Sequence, residues 1–262
     1  MKLNVHYIDA FTESLFKGNP AAVIISDKWL SDDLMQSIAV ENNLSETAFS
    51  VKTGDSYHIR WFSPLTEIEF CGHATLATAY VLFNQYSKIE SINFYAKAVG
   101  ELEVNKAHDG FIQMRFPNRM PEPVDDIPEA LIDGLSIKPN EVYLNQQAYF
   151  AVYSDEEQVL AVEQDPDKIR QLKPYDVTVT APSAKYDFVS RYFWPANGGD
   201  EDPVTGSIHT GLAPFWSERL GKNELRAFQA SKRGGELLCR VDRDSVFIQG
   251  KAVRYLSGSI EI

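Results

Sequence analysis

Two cysteines, Cys71 and Cys239, are all that 262 residues contain. That is too few for the disulfide framework of a small secreted domain. No apolar run approaches the roughly 18–20 residues that a spanning helix needs. The opening MKLNVHYIDAFTES holds no signal-type apolar stretch. These absences predict a cytoplasmic protein that does not enter membranes. Five histidines are scattered without HExxH or CxxC spacing, so no metal site is expected from motif. Positive charge is in deficit, 25 basic against 37 acidic residues for a net −12. Such a surface repels phosphate backbones and anionic head groups, which argues against nucleic acid or lipid as partners.

What is present is an ordinary globular composition, 44% hydrophobic and 24% charged, with an internal duplication. RWFSP (60–64) returns as RYFWP (191–195), and TAFS (47–50) as TAPS (180–183). CGH (71–73) returns as TGS (205–207), and GELEVNKAHDGFIQ (100–113) as GELLCRVDRDSVFIQ (235–249). The four matches keep their order at offsets of 131 to 135 residues. Each is weak alone; together they predict two homologous halves, 1–117 and 129–262, related by a pseudo-two-fold axis. The join, 118–128, falls in FPNRMPEPVDDIP, whose four prolines and three acids suit an extended linker. The last strand is free to cross to the first half.

Within the first half, KLNVHYIDAF alternates with period two and reads as a strand, followed by AAVII. SDKWLSDDLMQSIAVENN reads as an amphipathic helix capped by Ser26 or Asp27, with Trp29, Leu30, Leu34, Ile38 and Ala39 or Val40 on its apolar face. TAFSV and YHIRWFS flank the turn TGDS, a central apolar helix starts near Gly72, and SINFYA, GELEVNK and GFIQMRF complete the half as strands. The second half repeats the plan with a central helix near IHTGLAPFWSERL, where Pro214 predicts a kink or early break.

The two helix starts are the informative positions. A helix N-terminus presents unpaired N–H groups and the positive dipole end, a cradle for a carboxylate. Gly72 and Gly206 allow close approach to the backbone there. The symmetry breaks at these positions. By the TAFS/TAPS match Glu46 faces Val179 across the duplication, so a carboxylate is expected in one half only. His73 matches Ser207, Cys71 matches Thr205, and Asp202 has no clear counterpart, Glu67 or Glu69 being the options. Taken singly, each residue has a bland reading: a surface carboxylate, a packed histidine, a buried thiol or a solvated acidic loop. As a set on two symmetric helix starts they predict a cleft with two unlike faces, fit for asymmetric proton transfer.

These residues carry a resemblance. DAFTESLFKGNPAAVI, NNLSETAF, RWFSPLTEIEFCGHATLATA and EDPVTGSIHTGLAPFW are similar to the phenazine-biosynthesis isomerase (PhzF-like) family, from Asp9 to the GKAV stretch at Gly250. The resemblance implies an α/β (α+β) fold of the diaminopimelate-epimerase type: two pseudo-symmetric halves, each a mostly antiparallel barrel-like sheet around a central helix. It implies a homodimer without organic cofactor or metal. Epimerases and racemases of this fold use one cysteine from each half. Here the counterpart of Cys71 is Thr205, whose hydroxyl is too weak an acid for that task.

The PhzF-like isomerases use a single glutamate, matched by Glu46. Their other site groups are matched by Gly72, His73, Asp202, Gly206 and Ser207. The expectation is therefore a cofactor-independent isomerase acting on a small amino- or hydroxy-carboxylic acid. Glu46 is the acid/base, with His73 and Asp202 as further catalytic groups. Asn19, Gly72, Gly206 and Ser207 contact the substrate, Phe11 and Pro20 join Asn19 in the pocket wall, and Cys71 is an accessory thiol. The alternatives are a racemase or epimerase working through Cys71, and a non-catalytic binding or interaction protein.

Overall fold

The computed structural model describes residues 1–262. They form two compact units, residues 1–115 with 249–262, and residues 116–248. No helix is long and apolar enough to cross a membrane.

The first unit opens with β1 (Lys2–Ala10) and β2 (Asn19–Ser26), then α1 (Asp32–Asn42), β3 (Glu46–Thr53), β4 (Ser56–Phe62), β5 (Glu67–Ile68) and α2 (Gly72–Gln85). It continues through β6 (Ser91–Ala96), β7 (Gly100–Lys106) and β8 (Ile112–Pro117). β1 is antiparallel to β2, β2 parallel to β3, β3 antiparallel to β4, β4 parallel to β6, and β6 antiparallel to β7. Helix α1 closes one face of this sheet, where Met35, Ile38 and Ala39 pack with Val5, Ile24, Phe49 and Phe62. It starts later than the sequence suggests. Ser31, not Ser26 or Asp27, is the N-cap. The Ser31 carbonyl accepts from both Leu34 and Met35 N–H. Leu30 is buried ahead of the helix, while Trp29 and Val40 remain exposed. Helix α2 is buried along almost its whole length. Small residues let it lie close to the sheet, and the hydroxyls of Thr75 and Thr78 reach back to the Cys71 and Ala74 carbonyls at 2.6 and 2.7 Å.

The second unit contains β9 (Glu122–Pro123), α3 (Glu129–Asp133), β10 (Glu141–Leu144), β11 (Ala148–Val152), α4 (Glu156–Ala161), α5 (Pro166–Ile169), β12 (Asp176–Pro182) and β13 (Phe188–Phe193). After these come α6 (His209–Leu220), β14 (Glu224–Gln229), β15 (Gly235–Val241) and β16 (Ser245–Gly250). Residues 118–128 lie in this unit: β9 pairs with β10, and Val124 and Ile127 pack on its core. The order of strand senses repeats that of the first unit: β10 antiparallel to β11, β11 parallel to β12, β12 antiparallel to β13, β13 parallel to β14, β14 antiparallel to β15. The sheets are therefore mostly antiparallel, with two parallel pairings in each. The last strand, β17 (Ala252–Glu261), runs antiparallel along β1 and belongs to the first unit.

Pro214 does not end its helix, which continues to Leu220. A proline there leaves the carbonyl four residues earlier without its helical donor. That carbonyl, Thr210 C=O, accepts instead from Arg119 N–H at 3.0 Å.

Candidate active site

In the first unit, three side chains meet where β3 begins and α2 begins. Glu46 is the first residue of β3, Cys71 the N-cap of α2, and His73 lies in its first turn. His73 Nε2 is 2.9 Å from Glu46 Oε2. That oxygen makes no hydrogen bond, so the contact is an ion pair lying off the ring N–H direction. Cys71 Sγ lies 3.4 Å from His73 Nδ1. Cys71 and His73 are buried and Glu46 half-buried. The carboxylate sits by the positive end of α2, where the dipole favours negative charge.

Electrostatics separate the two α2 residues. Burial, and then the Glu46 carboxylate, push the Cys71 thiol up to about 11, against the pull of His73. Burial lowers the basicity of His73, but the facing Cys71 sulfur and Glu46 carboxylate outweigh it and raise the imidazolium well above its usual range. Beside Glu46, Thr47 accepts from Asn42 Nδ2 at 3.1 Å, and Asn42 accepts from Tyr7 OH at 2.8 Å. Asn19 is buried at the start of β2, on the strand that pairs with β3. Phe11 is wholly buried: its ring packs on Gly250 beside Leu76, so closely that a Cβ on Gly250 would lie 2.3 Å from it.

In the second unit, Gly206 and Ser207 do not open the helix. They form a turn ahead of α6, with i→i−3 bonds from His209 N–H to Gly206 C=O and from Thr210 N–H to Ser207 C=O. The Thr210 hydroxyl bonds the same Ser207 carbonyl at 2.7 Å, which tightens this turn. Thr205, the counterpart of Cys71, donates its hydroxyl to Asp202 Oδ2. Gln229 ties the loop together, accepting from Thr205 N–H and donating to Asp202 C=O, both at 2.8 Å. Ser207 Oγ accepts from Gln147 Nε2 at 2.9 Å, which also reaches Tyr192 OH at 3.0 Å. Tyr192 OH donates to Asp176 at 2.6 Å, and Asn197 Nδ2 donates to the other Asp176 oxygen at 2.8 Å.

This network corrects the sequence alignment of the halves. Thr47 pairs with Phe62 in the first unit, and Val177 with Phe193 in the second. The structural counterpart of Glu46 is thus Asp176, the first residue of β12, and not Val179. Each half carries a carboxylate at this position. Asp176 is the buried one, raised by its desolvation against the hydrogen bonds from Tyr192 and Asn197. The register also resolves Asp202. Glu67 and Glu201 are the equivalent pair, each forked by an arginine: Arg60 to Glu67 at 2.7 and 2.6 Å, and Arg191 to Glu201 at 2.7 and 3.0 Å. Asp202 therefore falls opposite Ile68. Gln147, Tyr192 and Asp176 were not singled out from the sequence. The RYFWP repeat contains Tyr192 and was the available signal.

A profile of phenazine biosynthesis-like proteins matches residues 8–258. An uncharacterised isomerase of Pseudomonas aeruginosa is 45% identical over 262 residues, covering all of both chains. Among solved structures, a PhzF-family phenazine biosynthesis protein of Enterococcus faecalis superposes over the whole of both chains with a TM-score of 0.96 and 44% identity. A hydroxyproline epimerase of Agrobacterium vitis shares the fold alone, with a TM-score of 0.62 and 11% identity over 99% of this chain and 92% of that one.

Proposed function

The chain belongs to the phenazine biosynthesis-like family and is an isomerase, and we propose that Glu46 is its single acid/base. Glu46 takes a proton from a carbon next to a π-system; the electron pair shifts through that system, and Glu46 returns the proton at another carbon. No net charge or redox change results. The observation that carries this reading is the unequal fate of the two equivalent carboxylates. Glu46 contacts His73 through its buried Oε2 and leaves Oε1 without a hydrogen bond. Asp176 accepts one hydrogen bond on each oxygen. An acid/base needs an open lone pair within reach of the substrate.

His73, protonated beside Glu46, balances the carboxylate charge before transfer. The backbone N–H groups at Gly72 offer a site for developing negative charge. The roles of Asn19, Gly206 and Ser207 as substrate-binding groups, and of Asp202 as a further catalytic group, rest on the sequence. The substrate class is a small amino- or hydroxy-carboxylic acid. A two-thiol racemase is disfavoured because the counterpart of Cys71 is Thr205, whose hydroxyl is committed to Asp202.

The test is solvent-deuterium uptake, by mass spectrometry, into a panel of such acids. Wild type is expected to label one of them. Glu46→Gln is expected to lose about 10³-fold in exchange rate, the scale of general acid–base catalysis. Cys71→Ser should retain most of it. Loss of exchange in Cys71→Ser with retention in Glu46→Gln would transfer the role to the thiol.

A further inference from the structure

The same three side chains have a second chemistry that no motif announces. Glu46, Cys71 and His73 offer one carboxylate oxygen, one sulfur and one ring nitrogen, all within 4.8 Å of one another. Sulfur, imidazole and carboxylate together are a donor set suited to zinc-like ions and unlike the all-oxygen sets of calcium or magnesium. The separations fit as well. Bond lengths of about 2.3 Å to sulfur and about 2.0–2.2 Å to nitrogen and oxygen, at tetrahedral angles, place S and N about 3.5 Å apart and N and O about 3.4 Å apart. The observed separations are 3.8 Å from Cys71 Sγ to His73 Nε2 and 2.9 Å from that nitrogen to Glu46 Oε2. Each is within about half an ångström of the tetrahedral value. The third pair, Cys71 Sγ and the Glu46 carboxylate oxygen, lies within 4.8 Å, against about 3.6 Å for tetrahedral ligands.

We propose that Glu46, Cys71 and His73 form a three-ligand site for a thiophilic divalent cation, zinc-like rather than calcium-like, whose binding reversibly blocks the active site. On binding, the Cys71 S–H bond breaks, its proton leaves to solvent, and a sulfur–metal bond forms. His73 coordinates through the neutral Nε2 lone pair, releasing any proton held there. Glu46 coordinates as the carboxylate. Three protein ligands leave a fourth position open to water. Because Glu46 and His73 are then ligands, neither is available for proton transfer. The metal site stands on the geometry alone, while the block it imposes rests on the proposed catalytic roles of Glu46 and His73.

The experiment is titration of the purified, chelator-treated full chain with cobalt(II), followed by absorption spectroscopy. Wild type is expected to bind one equivalent with a thiolate-to-cobalt charge-transfer band and intense tetrahedral d–d bands, both erased by one equivalent of zinc. Cys71→Ser should lose the charge-transfer band. Its cobalt affinity should fall by more than the roughly 10–100-fold that loss of an outer-sphere partner costs. Cys239→Ser should behave as wild type.

Glu46→Gln serves as the second variant in case Cys71→Ser folds poorly; it should keep the charge-transfer band at weaker affinity. Cobalt binding without the thiolate band, or a band that survives Cys71→Ser and disappears in Cys239→Ser, would overturn the proposal. So would the absence of stoichiometric binding in wild type. These readouts are independent of deuterium exchange, so a failed metal site and a failed isomerase reading give different results.

Discussion

His209 is buried in the first turn of α6, with Nδ1 2.9 Å from the Thr205 carbonyl and Nε2 without a hydrogen bond. Nδ1 therefore carries the proton as N–H donor, and the ring is neutral. Thr75, its equivalent in the first unit, makes the same reach to the Cys71 carbonyl at 2.6 Å. One position in each half thus satisfies the carbonyl four residues back. Burial lowers the pKa of His209 from 6.5 to about 4, against the backbone contact. A depressed histidine contributes stability that is complete above its unfolded value and is lost as pH falls. The loss here begins near 6.5 and is finished below about 4. The slope is about 1.4 kcal/mol per pH unit, and the total about 3 kcal/mol. Urea unfolding of wild type and His209→Gln at pH 7 and pH 4.5 should show the wild type losing more stability on acidification. Equal losses in both proteins would show that the buried ring is not held neutral.

At the scale of elements, the duplicated arginine forks tie strand to loop. Arg60 on β4 and Arg191 on β13 grip Glu67 and Glu201 respectively and lie over Phe62 and Phe193. The two are not equally strong. Arg191 and Glu201 are 16% and 23% exposed, against 25% and 42% for Arg60 and Glu67. Arg191 also donates to the Val159 and Val162 carbonyls at the end of α4. Water screens the Arg60–Glu67 pair more than the Arg191–Glu201 pair. Glu201→Gln should therefore cost about 2 kcal/mol, as for a charge-assisted hydrogen bond, and Glu67→Gln less than about 1 kcal/mol. Paired thermal denaturation curves decide it, and equal shifts would place the two forks in equivalent environments. The arginine of each fork was legible as the first residue of the RWFSP and RYFWP repeat. Its partner was not, since the loop after RYFWP is longer and shifts Glu201 by three residues relative to the strand match.

At the scale of the molecule, the first unit is completed by the last residues of the chain. β17 covers β1 from Glu261 opposite Lys2 to Ala252 opposite Ala10, with a register shift at Tyr7/Ile8. Ile260 packs on the cluster that holds Leu3 and Val5. Removing residues 252–262 would leave the β1 edge without its ladder partner and uncover that cluster. Limited proteolysis followed by mass spectrometry should then find new cleavages concentrated within residues 1–115, ahead of those in 116–248. Uniform sensitivity across both segments would show that β17 is dispensable. Pairing residues more than 240 positions apart is also a contact of high sequence separation, whose closure entropy slows folding.

The sequence by itself determined the duplication, the order of strands and helices in the first half, the apolar character of both central helices, and the residue types at their starts. These are properties of composition and period, and the chain states several of them twice. Tertiary structure alone decided the strand register that makes Asp176, rather than Val179, the equal of Glu46. β3 and β12 are buried nearly throughout, so neither shows the alternation that would pin its alignment. It decided which carboxylate stays open, because the groups that occupy Asp176 come from Tyr192 and Asn197, distant in sequence. It brought Glu46, at the start of β3, to Cys71 and His73, at the start of α2. Local pattern carries no record of such meetings, because the contacts that create them are made between elements.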